Sequence, residues 1–179
     1  MLDDDDEGWA HDVAMNRHAE DVMKGARDQH GDWNKADGGK LHLQGARAEL
    51  YAARFFDVEW APKNFANRHE PDVADLFDVR ATGYRNGGML LHPGDPDRRP
   101  VVLVITGDRF TLPGWCWGED GKAERYWWTG GKSPCYRVPQ AALHPPAALR
   151  AIIAESEERA GREHQGHDAG IRDSPGPDR

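Results

Sequence analysis

The chain has 179 residues, with 31 acidic and 23 basic side chains and a formal net charge of -8 when histidine is neutral. With 38% hydrophobic residues, among them 7 tryptophans, it is long and apolar enough for one domain with a buried core. No apolar run approaches the length of a membrane span, and the mean hydropathy is -0.83. Met1-Leu2 leads into Asp3-Asp4-Asp5-Asp6-Glu7, which is unlike a secretory signal. The expectation is a soluble cytoplasmic protein.

The acidity sits at the ends. Residues 1–28 hold 9 acids and 3 bases, and residues 155–179 hold 7 acids and 4 bases. The stretch between them is close to neutral, with 15 acids and 16 bases. A phosphate-backbone partner would therefore need local focusing of Lys and Arg, or a divalent metal. The 2 cysteines, Cys116 and Cys135, form no CxxC pair. That excludes a zinc ribbon and leaves two reduced, partly buried thiols as the expectation.

In chain order, residues 8–28 read as a helix with Trp9, Val13, Val22 and Met23 as apolar anchors. The acidic run lies at its start, where negative charge suits the helix dipole. His30 to Lys40 is rich in Gly and Asp and reads as a loop. Residues 44–58 form a better helix, with Ala46, Glu49, Ala53 and Phe56 on one stripe. Pro62 to Pro71 is a connection.

Strand-like segments follow at Val73–Phe77, Asp78–Thr82 and Met89–His92. The Pro- and Gly-rich stretch from Pro93 to Pro100 is a loop. Val101–Ile105 is an uninterrupted, largely β-branched run, the best candidate for a central buried strand. Phe110–Trp117 and Arg125–Trp128 flank Gly118-Glu119-Asp120-Gly121 and predict a hairpin. Tyr136–Val138 reads as a short strand. Ala141–Arg159 reads as one or two short helices broken at Pro145-Pro146, and residues 161–179 as a disordered tail. The order helix, strands, helix predicts an α+β domain with a mixed sheet. The expected division is an acidic helical extension and loop over 1–40, a domain over 41–160 and the tail.

The densest chemistry lies in His69-Glu70-Pro71-Asp72-Val73-Ala74-Asp75-Leu76-Phe77-Asp78-Val79-Arg80. Asp78 and Arg80, two apart on a strand, share a face. Glu49 lies on an otherwise apolar stripe, where a carboxylate is costly unless paired or bound to a cation. Arg80, or a cation shared with Asp72 and Asp78, is its expected partner. A cluster of this kind can hold Mg²⁺ through one or two carboxylates and promote phosphodiester hydrolysis. A neighbouring cation then stabilises charge that grows on the phosphate. The bland alternative is a salt-bridge ladder on a strand.

Glu49, Pro71-Asp72 and Asp78-Val79-Arg80 resemble the PD-(D/E)XK nuclease superfamily, the restriction-endonuclease-like fold. Together with Gly45–Leu50 and Leu112-Pro113-Gly114-Trp115 they are similar to small phage-encoded proteins placed in it, over roughly residues 44–145. The resemblance implies a mixed central sheet flanked by helices, with a helical N-terminal extension. It implies Mg²⁺ or Mn²⁺ as cofactor, held by Asp72 and Asp78, with Glu49 as the helix acid that orients the metal or its water. Arg80 stands where the family has lysine, and arginine stays charged, so it can stabilise phosphate but not act as a base. DNA is the implied partner, with no membrane and with a homodimer as an option. The compartment would be the host cytoplasm for a phage-encoded chain.

Several other residues carry weaker signals. His69, beside the acids, could contact phosphate, as could Arg98-Arg99 in the loop before the central strand; solvated loop charge is the plainer reading of the arginines. His42 and His92 could lie nearby, and Asp75 is an alternative ligand. No HxxxH or HExxH spacing supports zinc. Trp115, Trp117 and Trp127-Trp128 could stack on bases but fit a core or cross-strand role. Two other function classes remain alongside a nuclease. One is a non-catalytic DNA-binding or structural phage protein on the same fold. The other is an interaction protein whose acidic ends meet a basic partner.

Overall fold

The computed structural model describes residues 2–23, 35–62, 70–131 and 133–168. The described residues up to Pro146 form one compact unit and those from Ala147 onward a second. The architecture is α+β, with a small mixed sheet and a second, antiparallel one. No helix among the described residues is long and apolar enough to cross a membrane.

Helix α1 spans Asp4–Met23. Asp3 caps it, accepting the Asp6 N–H on Oδ1 at 2.9 Å, and four acids fill the first turn. The helix starts four residues earlier than its sequence pattern suggests, and residues 24–28 lie outside the described residues. Its anchors also differ. Ala10, Val13 and Ala14 are buried, while Trp9, Val22 and Met23 are exposed. Small side chains form the contact stripe, which a reading weighted toward large apolar residues overlooks.

Helix α2 spans Lys35–Phe56, so the segment from residue 35 to Lys40 is helical rather than a loop. Residues 30–34 lie outside the described set. The helix ends at Asp57, which adopts φ 60°, and the Val58 N–H returns to the Ala53 carbonyl at 3.0 Å. Its middle is buried on most sides, at Ala46, Ala48, Glu49, Leu50, Ala52 and Ala53. It packs against α1 and against the first sheet. Charge pairs lace the two helices together, Arg47 to Glu7 at 2.6 Å and Arg54 to Asp6 at 2.7 Å, and His42 approaches Asp21 at 3.2 Å.

Strands β1 (Asp78–Thr82), β3 (Pro100–Thr106) and β4 (Phe110–Trp117) make the first sheet in the order β1-β3-β4. β1 runs parallel to β3, and β4 antiparallel to it. Val101–Ile105 is central and buried throughout, as its composition predicts. β2 (Met89–Leu91), β6 (Cys135–Val138) and β5 (Trp127–Trp128) form the second sheet in the order β2-β6-β5. Met89, Leu91, Val101, Leu103, Ile105, Cys116 and Val138 form one core cluster that joins the two sheets.

Two expected elements are replaced. Val73–Phe77 is not a strand but a tight turn: Val73 bridges Phe77, and the Leu76 N–H meets the Val73 carbonyl at 2.8 Å. Ala74 and Asp75 both adopt left-handed backbone, at φ 49° and 56°. The hairpin expected across residues 118–121 is also absent. Gly118–Gly121 is a helical turn, α3, and β5 pairs with β6 instead of β4. Strands as short as β5 carry too little alternation to choose a partner.

Both cysteines are free and buried, and burial pushes the Cys116 thiol up to about 11. Helix α4 spans Pro146–Asp168 with proline in its first turn, where the missing N–H costs nothing. Residues 161–168 of the expected tail are therefore helical, and 169–179 lie outside the described residues.

Candidate functional site

The site grows from the start of β1, at the edge of the first sheet. The register sets Asp78 opposite Val101 and Arg80 opposite Leu103, on the face of the core cluster. Phe77 and Val79 take the other face, where the Phe77 ring meets Phe56 of α2 at 5.3 Å. Asp72 sits just before the strained turn. Its Oδ2 accepts the Val79 N–H at 2.8 Å and so occupies the edge of the strand.

Glu49 approaches from α2. Both of its oxygens are engaged: Arg17 of α1 donates Nη1 to Oε1 at 2.7 Å and Nη2 to Oε2 at 2.8 Å, and Trp60 Nε1 donates to Oε2 at 3.2 Å. Glu49 is 7% exposed. Burial, seconded by the Asp72 charge, raises its pKa above the ordinary carboxylate value against the pull of Arg17. Its partner is thus Arg17, not Arg80.

Asp78 is 5% exposed and takes Arg99 Nη1 at 3.2 Å on Oδ1. Burial, then the Asp72 carboxylate, push its pKa up to about 6, while Arg99 and Arg80 pull the other way. Arg80 donates Nη2 to Asp95 Oδ2 at 2.9 Å and Nη1 to the Val79 carbonyl at 3.3 Å. Burial works to lower its pKa. Asp95, then Asp72 and Asp78, outweigh that and raise it.

Asp72 is therefore the common neighbour. Its charge acts on Glu49 from one side and on Asp78 and Arg80 from the other. Of the four residues singled out in the sequence, Asp78 and Arg80 share one face of β1, Asp72 bonds its edge at Val79, and the Asp72 charge is felt by Asp78, Arg80 and Glu49.

The other candidates scatter. Arg99 turns inward to Asp78, while Arg98 is exposed. His69 lies outside the described residues. His92 is exposed in the loop after β2, His42 approaches Asp21 between the helices, and Asp75 is exposed on the turn. Trp115 is core and stands edge-on to Trp117 at 5.4 Å, while Trp127 packs on Tyr136 at 4.9 Å.

Arg17, Trp60 and Asp95 are absent from the sequence reading. Arg17 had a signal, since it continues the Ala10, Val13, Ala14 stripe of α1 as Glu49 interrupts that of α2. Trp60 and Asp95 lie in connections that carry no periodic signal.

The loop from His92 to Arg99 delivers the arginine to Asp78. It is pinned by Asp95 Oδ2, which accepts the His92 N–H at 2.9 Å. Lys122 reaches Asp97, and the N–H groups of Gly118 and Glu119 reach Arg99 and Asp97 carbonyls at 2.9 and 3.0 Å. Gly118 is required here because a Cβ would collide with the Pro96 carbonyl oxygen.

Asp72 and Asp78 bring carboxylate oxygens whose charges repel each other, the donor chemistry of a hard cation, but Arg99 Nη1 reaches both Asp78 oxygens, at 3.2 and 3.5 Å. Glu49 does not suit a cation, because Arg17 and Trp60 take both oxygens. Among the described residues, no group of three or more His, Cys, Asp or Glu side chains could hold a metal ion. A comparison of the chain with protein-family models, curated proteins and solved structures finds no match.

Proposed function

We propose that the protein is a metal-dependent phosphodiesterase acting on DNA, built on a restriction-endonuclease-like variant of its α+β architecture. The observation that supports this reading is that Asp72, bonded to the Val79 N–H, raises the pKa of Asp78 through its charge, with Arg99 on Asp78 and Arg80 two residues along β1. Two carboxylates are a sufficient protein contribution for Mg²⁺ or Mn²⁺, because such ions keep several waters and take substrate phosphate. Bound between these acids, the ion would supply Lewis-acid polarisation of a phosphoryl oxygen and a more acidic water.

The chain's own residues have separable tasks. Asp72 is aimed by the Val79 N–H. Asp78 is held by Arg99. Arg80, anchored on Asp95, places a permanent positive charge where phosphate charge would grow. Glu49 positions rather than ligates, because it ties α1 to α2 behind Asp72.

The test is incubation of purified protein with supercoiled, linear and single-stranded DNA in Mg²⁺, Mn²⁺ or EDTA, beside Asp78→Asn. Cleavage that needs metal and is lost in Asp78→Asn is expected. Cleavage in none of these conditions, or at an unchanged rate in the variant, sinks the reading.

One observation favours a second reading. Arg17 on Glu49 and Arg99 on Asp78 already neutralise two of the three acids. A non-catalytic DNA-binding or structural protein on the same scaffold would keep such pairs. It would bind DNA and leave it uncut.

A further inference from the structure

A cavity of about 480 Å³ opens on the second sheet and is lined by Asn86, Gly88, Arg125, Tyr126, Arg137 and Gln140, with Pro139 at its side. Its construction is local. Arg125 belongs to the 3₁₀ turn Glu124–Tyr126 that feeds β5, and Arg137 to β6, opposite Leu90. Gly88 lets the turn before β2 lie on β6, since a Cβ there would stand 2.7 Å from the Val138 carbonyl oxygen. Gln140 closes the other side by donating its amide to the Arg85 and Gly87 carbonyls, both at 2.9 Å.

The two guanidinium groups are the informative feature. Arg17, Arg80 and Arg99 each meet a carboxylate, whereas among the described residues neither Arg125 nor Arg137 does. Each instead lies over a ring: Arg125 over Tyr126 at 4.6 Å and Arg137 over Trp128 at 5.6 Å. Aromatic faces hold a guanidinium in place while leaving its N–H edge free to bond. Among the described residues, no acidic side chain lines the cavity. In a chain of net charge -8, two oriented cations without a carboxylate partner make a receptor for an anion.

We propose that this cavity is a phosphate-binding site in which Arg125 and Arg137 grip a phosphodiester of a nucleic-acid strand, with the Asn86 amide as a further donor. The choice of a strand as the source of phosphate rests on the nuclease reading above, while the anion chemistry does not. The site would give an acidic protein its grip on an anionic polymer.

The test measures fluorescence anisotropy of a labelled oligothymidylate in EDTA, where no cleavage intervenes. Arg125→Ala/Arg137→Ala is expected to weaken binding at least roughly tenfold and to flatten the salt dependence by about 0.7 per lost contact on a log–log plot. Arg109→Ala/Arg150→Ala, an equal charge change elsewhere, should bind as the parent does. Because the measurement is made in EDTA and reads binding alone, a failed cleavage assay leaves it intact. Equal weakening in both double variants would reduce the effect to bulk charge and overturn the site, as would no weakening in the first. Thymidine monophosphate should compete far less well per phosphate than unlabelled oligonucleotide. Equal competition would make the cavity a small-anion pocket and overturn the strand assignment. A thermal melt of each variant separates lost binding from lost folding.

Discussion

Arg17 and Glu49, 32 residues apart, meet through two near-parallel hydrogen bonds of 2.7 and 2.8 Å between α1 and α2. Both side chains are almost wholly out of water, at 11% and 10% exposure. Removing one partner of such a pair strands the other charge. Arg17→Ala should therefore destabilise the protein by about 3–5 kcal/mol. Arg17→Met/Glu49→Leu, which removes both charges and keeps the volume, should recover most of that. Urea unfolding of the three proteins measures it. A loss well under 1 kcal/mol for Arg17→Ala would show that water reaches Glu49.

Asp78 gives a pH dependence with a definite sign. Its folded pKa of about 6 lies above the ordinary aspartate value of 3.8. Between those values the folded state holds a proton that the unfolded state has released. Stability contributed at this position therefore falls as pH rises from about 4 through 6 and stays low above it. Asp78→Asn removes the ionisation that burial and Asp72 oppose. The variant should gain on the order of 1–3 kcal/mol relative to the parent at pH 8, and the gain should fade by pH 4. Thermal melts across that range decide it. A variant less stable than the parent at pH 8 would mean that the Arg99 pair outweighs desolvation.

Gly118 couples the His92–Arg99 loop to α3. A methyl group there meets the Pro96 carbonyl oxygen, so Gly118→Ala must displace the loop or the turn. The shift would disturb Lys122 on Asp97, Asp95 beneath Arg80 and Arg99 on Asp78 together. We expect a loss of about 1–3 kcal/mol, as overpacking typically costs. The pH dependence ascribed to Asp78 should change with it. An unchanged melting temperature would show that the loop's seat on α3 does not set the position of Arg99.

These residues also show which parts of the molecule can be read from sequence. β3 was legible because an unbroken run such as Val101–Ile105 fits a strand buried on both faces. The Glu49 stripe and the Asp-x-Arg spacing were legible because helix and strand periods fix faces. The partners were not. Arg99 reaches Asp78 from a loop held by carbonyl contacts that leave no pattern, and Asp95 lies in that same loop. The turn after Asp72 was hidden because Ala74 adopts a left-handed backbone that favours glycine, asparagine or aspartate, and Asp75 alone is a weak signal for it. Arg17 alone was recoverable, as a base on the contact stripe of one helix facing an acid on that of the next.

Arg80 separates charge from geometry. Its Nη2 holds Asp95 and its Nη1 holds the Val79 carbonyl. Lysine at this position reaches one of these acceptors, so Arg80→Lys should cost about 1 kcal/mol for the lost hydrogen bond. The positive charge beside Asp72 and Asp78 remains. If Arg80 acts on phosphate through that charge, metal-dependent cleavage by the lysine variant should stay within a few fold of the parent. Arg80→Gln, which removes the charge and keeps much of the bulk, should cut it by roughly a hundredfold, the scale of one lost electrostatic stabiliser. The pair of rates in Mg²⁺, with melts run alongside, tests the assignment. Equal losses in both variants would mean that the planar fork on Asp95 matters rather than the charge, and Arg80 would then be a positioning residue for the loop.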